Sequence, residues 1–180
     1  MSTVNTNAIL RSADERVIFR KAGAIIQAKR AAYYTSEYNN TSQNSLYDMP
    51  GNLGDGTASI SPHFANSRIL FTSTLQCGCE TTWRANFFRT YYKIGSGSWT
   101  QFEGTSSSIM WCNTQGVART VKNTYLLSSL NTTSTVYFKI MHIGHQSGGY
   151  LHLNLNSTSG SGSGNQGSVA SCIFLQEVAQ

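Results

Sequence analysis

Apolar and polar positions alternate with period two along much of this chain, and that alternation predicts β-strands rather than helices. The cleanest run is Ser67 to Cys79, where Ile69, Phe71, Ser73, Leu75, Cys77 and Cys79 share one face. The next, Thr82 to Ile94, sets Trp83, Ala85, Phe87, Arg89 and Tyr91 against Arg84, Asn86, Phe88, Thr90 and Tyr92. Both of its faces carry aromatics, so one sheet face is expected to meet a partner subunit. Val117 to Leu127 is a further long strand. Three segments close the chain: Thr135 to Ile143, Tyr150 to Leu155 and Val169 to Val178. A closing strand of this kind is expected to be tied into a sheet.

The remaining strands are shorter or less regular. Ala24 to Tyr34 is the first strand of the body, followed by Thr57 to Ser61, Trp99 to Phe102 and Ile109 to Cys112. Residues 35–56, with Asp48-Met49-Pro50-Gly51 and Gly54-Asp55-Gly56, read as a long surface loop with little regular structure. Gly95-Ser96-Gly97-Ser98 reads as a hairpin turn. The Ser/Gly run 157–164 reads as a flexible loop. Roughly eight to ten strands separated by turn signals predict an antiparallel β-sandwich or barrel.

Composition supports this pattern. Charged residues make up only 12% of the 180 residues, and there are two prolines. The net charge of +5 is uneven: residues 1–35 carry six basic residues against Asp14 and Glu15, leaving +1 for the rest. Residues 1–22 therefore read as a basic N-terminal arm, with a strand or helical turn after Ser12, and residues 23–180 as the body. The arm's cations Arg11, Arg16, Arg20 and Lys21 are dispersed among acids, which favours docking on protein over binding nucleic acid. The first residues lack the pattern of an export signal and no apolar run is long enough to span a bilayer. Synthesis in a reducing cytoplasm without secretion is expected, with Cys77, Cys79, Cys112 and Cys172 free.

In their order, several pieces of the body resemble one family. They are Gly23-Ala24-Ile25-Ile26-Gln27, then Ser67-Arg68-Ile69-Leu70-Phe71 after Pro62, and Leu127-Ser128-Ser129-Leu130-Asn131-Thr132-Thr133-Ser134 ahead of Tyr137-Phe138-Lys139. Next come Gly148-Gly149-Tyr150-Leu151-His152-Leu153-Asn154 and the terminal Ser171-Cys172-Ile173-Phe174-Leu175-Gln176-Glu177-Val178. This set resembles the small jelly-roll domains of tailed-bacteriophage virions, especially of cyanophages, found in capsid decoration proteins and at tail-fibre tips. The aromatic-rich strand Trp83 to Tyr92 departs from that pattern, and a long shaft ahead of the domain is not expected. The resemblance implies a jelly-roll-like antiparallel β-sandwich that trimerises on a virion. Its partners would be further copies of itself, the major capsid protein or other virion proteins, and, for a tail location, a host surface glycan. The first reading is a capsid decoration or cement protein that stabilises the shell. The second is a tail-fibre or tail-tip receptor-binding protein.

Candidate chemistry changes this picture little. Cys77-Gly78-Cys79 is too closely spaced for a usual zinc pair. His142 and His152 are the weak metal candidates, expected on two strands that pair through the turn 144–149; half-exposed sheet histidines are the alternative. His63, beside Pro62, reads as a loop residue. Glu177 in the terminal strand is expected to pair with a basic neighbour. No paired carboxylates suit glycoside hydrolysis and no Gly-x-Ser-x-Gly elbow occurs, so neither an enzyme nor a cofactor is expected. Among the aromatics Trp83, Phe87, Phe88, Tyr91, Tyr92, Trp99, Phe102 and Trp111, most are expected in the core, and Trp99 is the candidate for an exposed external contact.

Overall fold

Alternation becomes inside–outside patterning only once strands pair, and here they pair into two sheets. The computed structural model describes residues 9–11, 17–19, 22–35, 37–41, 45–79, 84–102, 108–112, 119–128, 130–144, 149–154 and 170–180. In chain order the strands are β1 (Ile9–Arg11), β2 (Val17–Phe19), β3 (Ile25–Tyr33), β4 (Glu37–Thr41), β5 (Tyr47–Asp48), β6 (Ala58–Ile60) and β7 (Arg68–Cys79). They continue with β8 (Arg84–Ile94), β9 (Thr100–Gln101), β10 (Ser108–Cys112), β11 (Arg119–Leu127), β12 (Val136–Gly144), β13 (Gly149–Leu153) and β14 (Ser171–Val178).

The first sheet runs β3–β14–β7–β11, with β4 and β13 prolonging it where β13 pairs with residues 77–79 of β7. The second runs from β5 and β6 through β12 and β8 to β9 and β10. Every pair is antiparallel. Early strands pair with late ones in a nested series: β3 with β14, β5 and β6 with β12, β7 with β11, β8 with β10. A long hairpin wound around itself gives that nesting and deals its strands alternately to two facing sheets. The body is a jelly roll, the antiparallel sandwich that the strand pattern predicts wound in the way the family resemblance implies.

The wound sheets bury one face of each strand against the other. On β12, Val136, Phe138, Ile140, His142 and Gly144 are buried while the residues between are half-buried. On β14 the buried set is Ser171, Ile173, Leu175 and Glu177. Phe71 of β7 stacks on Phe138 of β12 at 5.4 Å between centroids, joining the sheets, and Phe102 packs on Tyr125 at 5.2 Å and Tyr92 at 5.0 Å. Aromatic rings thus carry much of the core, each burying a large apolar area with a preferred offset geometry.

Two expectations change. Residues 35–56 are not a featureless surface loop: β4 pairs with β13, β5 with β12, and a 3-10 turn spans Gly51–Leu53. Met49 and Leu53 of this stretch are buried in the core. Asn52 Nδ2 ties the turn to β3 by donating to Ala32 O at 3.0 Å. Gly54 passes so close to Met49 that a Cβ there would sit 1.9 Å from the Met49 carbonyl oxygen, so only glycine fits.

The second change concerns β12 and β13, which form no hairpin. β12 lies in the second sheet and β13 in the first, so the chain crosses the sandwich between them. β13 and β14 lie end to end along one edge of β7. Their junction is clamped: Asn154, at φ 56°, donates from Nδ2 to Tyr33 O and Thr35 O, and its Oδ1 accepts from Ser171 N and Oγ. The Ser/Gly run 157–164 lies between these strands and outside the described residues.

Candidate functional site

β1 and β2 pair with each other, Leu10 opposite Ile18, as a small sheet separate from the sandwich. This answers the strand-or-helix alternative within the arm in favour of strands. Arg11 lies at the end of β1, whereas Arg16, Arg20 and Lys21 fall outside the described residues. The arm leaves the body at a pinned exit. Gly23, at φ 83°, donates its N–H to Ala179 O, and Ala179 N–H donates to Ala24 O, both at 2.9 Å. The exit shares one pole of the sandwich with the connections 61–67, 95–99 and 128–135, because β3 begins where β14 ends and β7 begins. The last two are themselves tied to neighbours, through Gly95 N to Thr135 O and Thr132 N to Ala65 O.

At this pole Glu177 works as a latch. Its side chain is fully buried. One carboxylate oxygen accepts from His63 N at 2.8 Å and Phe64 N at 3.2 Å; the other accepts from Gln27 Nε2 at 2.8 Å and faces His63 Nδ1 at 3.0 Å. Burial pushes the carboxyl pKa up, but the hydrogen bonds outweigh that and hold it below the usual value. The buried Ser67 hydroxyl also favours the carboxylate, although it makes no bond of strict geometry. Glu177 does find a basic neighbour, and it is His63, the residue read from sequence as belonging only to a loop.

The two histidines do not form a cross-strand pair, since they lie in different sheets. His142 is buried, its ring 5.7 Å from that of Tyr47, and burial lowers its pKa to about 4 against the opposing effect of Asp48. His152 is buried on β13. Both are interior rather than half-exposed. Among the described residues no group of three or more His, Cys, Asp or Glu side chains could hold a metal ion. Cys77 and Cys172 are free thiols, and the side chains of Cys79 and Cys112 lie outside the described set.

The outer face of the second sheet carries the other notable cluster. Register places Ser59, Tyr137 and Lys93 side by side across β6, β12 and β8. The neighbouring row is Lys139, Tyr91 and Gln101 across β12, β8 and β9. Trp99 folds back from the β8–β9 connection onto these rows and is half-buried, not exposed as expected. Its ring rests on Gly56, at φ 79°, where a Cβ would meet it at 2.7 Å. Lys93 Nζ lies 5.0 Å from the centroid of the Trp99 ring and 5.1 Å from that of Tyr137, while Lys139 Nζ lies 5.1 Å from the Trp99 centroid. Lys139 also pairs with Asp48 at 2.7 Å. Sequence reading found Trp99 from its place beside the Gly/Ser turn, but not the lysines, which lie on other strands.

A recess of about 260 Å3 lies between β3 and β6, lined by Lys29, Arg30, Thr57 and Ser59 among others. No helix among the described residues is long and apolar enough to cross a membrane.

No family model matches this chain, and no curated protein matches it. Among solved structures it is similar to the VP2 subviral particle protein of infectious bursal disease virus, with a TM-score of 0.44, 12% identity, and coverage of 86% of this chain and 38% of that one. A structure of the Gx strain of that virus aligns with a TM-score of 0.40, 9% identity, and coverage of 94% and 46% respectively. The chain thus spans less than half the length of each neighbour. Likenesses at these scores carry no argument about function.

Proposed function

We propose that this protein is a structural component of a tailed-bacteriophage particle, a decoration or cement protein that docks by its basic arm on the outer capsid surface and stabilises the shell. The observation that carries this reading is the arm's exit: a jelly-roll body releases a separately paired basic hairpin from one pinned pole. An attachment strap has that arrangement, with the body free to face outward. The sequence resemblance to virion jelly-roll domains supports the same context, while fold alone leaves function open. Removal of residues 1–22 is expected to leave a folded body that no longer co-sediments with purified capsids. Normal decoration by the truncated protein would refute the anchor.

The body is proposed to act as a homotrimer. Ile25 and Leu126 are 57% and 49% exposed, apolar groups that a neighbouring copy would cover. They lie on β3 and β11, opposite edges of the first sheet, toward the same pole. A three-fold ring needs two different patches, one given and one received, and opposite edges provide them. Among the described residues β11 is paired only through β7, which leaves its outer edge open to such a contact. Sedimentation equilibrium should give the mass of three chains, and Leu126→Lys should dissociate it. A wild-type chain that stays monomeric at micromolar concentration would exclude the trimer.

The second reading is a receptor-binding protein of the tail, and the aromatic and basic outer face around Trp99 favours it. Copy number per particle separates the two: hundreds of copies for decoration, a few dozen or fewer for a tail.

A further inference from the structure

Lys93 is a cation fixed in place with no anion among the described residues. Its ammonium is held between the rings of Trp99 and Tyr137 and meets no carboxylate among the described residues, whereas Lys139, at the same indole, is neutralised by Asp48. A lysine normally keeps its rotamer freedom in water; two aromatic faces remove it before any ligand arrives. The residues beside it are those that grip hydroxyl-rich ligands. Tyr91 and Gln101 are linked by a 3.4 Å hydrogen bond, and Ser59 flanks Tyr137.

We infer that this outer face of the second sheet binds an acidic saccharide, with Lys93 taking its carboxylate or sulfate group. The rings of Trp99 and Tyr137 fix the cation and give the sugar an apolar edge, while Tyr91, Gln101 and Ser59 meet its hydroxyls. The site does not depend on the arm and holds for either location on a particle.

Calorimetric titration of the full chain with a hexasaccharide of a uronic acid tests this. The hexauronate should bind, and neutral dextran of equal size should not. Lys93→Gln should weaken binding about tenfold, the worth of one charge-assisted contact, and Lys93→Arg should restore most of it. Lys122→Gln removes one charge from the exposed side of β11 and should leave binding unchanged, as should the melting temperature in all three variants. No hexauronate binding, equal weakening by Lys122→Gln, or equally tight binding of inorganic sulfate or a poly-glutamate peptide would overturn the assignment.

Discussion

Ile173→Asp is expected to abolish the soluble folded protein. Ile173 sits at the middle of β14, fully buried, opposite Ala31 of β3 and Ser73 of β7. A carboxylate there would be buried with no partner, at a cost of several kcal/mol. A domain of ordinary stability has about 5–15 kcal/mol in total, and β14 is the strand that joins β3 to β7. Circular dichroism and thermal melting should find no cooperative transition for this variant. Gln176→Asp, on the half-buried outer side of the same strand, should keep one. A folded Ile173→Asp protein would mean that β14 does not seal the first sheet as described.

Glu177→Gln should destabilise the body by about 3 kcal/mol at neutral pH, the upper range for leaving buried donors without their charged acceptor. An amide can accept at one atom only, so either the His63 and Phe64 N–H groups or Gln27 would face an N–H2 group. The effect should depend on pH in one direction. The Glu177 pKa in the folded protein lies below its unfolded value, so the carboxylate's contribution is complete above the unfolded value and is lost as pH falls through the folded one. Urea unfolding should therefore show a large gap between wild type and variant at about pH 7 and a small one at about pH 3. A gap that stays constant with pH would show that shape, not ionisation, holds the latch.

Much of the strand content was legible because alternation is a local property. A residue on β7 or β12 is apolar or polar according to its own side of the pleat, and period two can be read without knowing the partner strand. The runs Ser67 to Cys79, Thr135 to Ile143 and Val169 to Val178 accordingly coincide with β7, β12 and β14 to within two residues at every end. In residues 35–56 the rule had little to read, because β4 and β5 are short and polar and are specified by the strands they join rather than by their own pattern.

Pairing was decided by the tertiary structure. Consecutive strands joined by a Gly-rich turn ordinarily make a hairpin, yet β12 and β13 go to opposite sheets because the nested winding commits β12 to β8 and β13 to β7. That choice moved His142 and His152 from a supposed cross-strand pair into two separate interior positions. The two clusters that bear on function are likewise products of closure. Glu177 meets His63 across 114 residues of chain, and Trp99 meets Lys139 from a different strand. The sequence by itself determined an all-β chain, which residues share a face of each strand, and its charged arm. Only the tertiary structure decided which side chains meet, because contacts between distant residues are set by how the sheets close and leave no periodic trace in the chain.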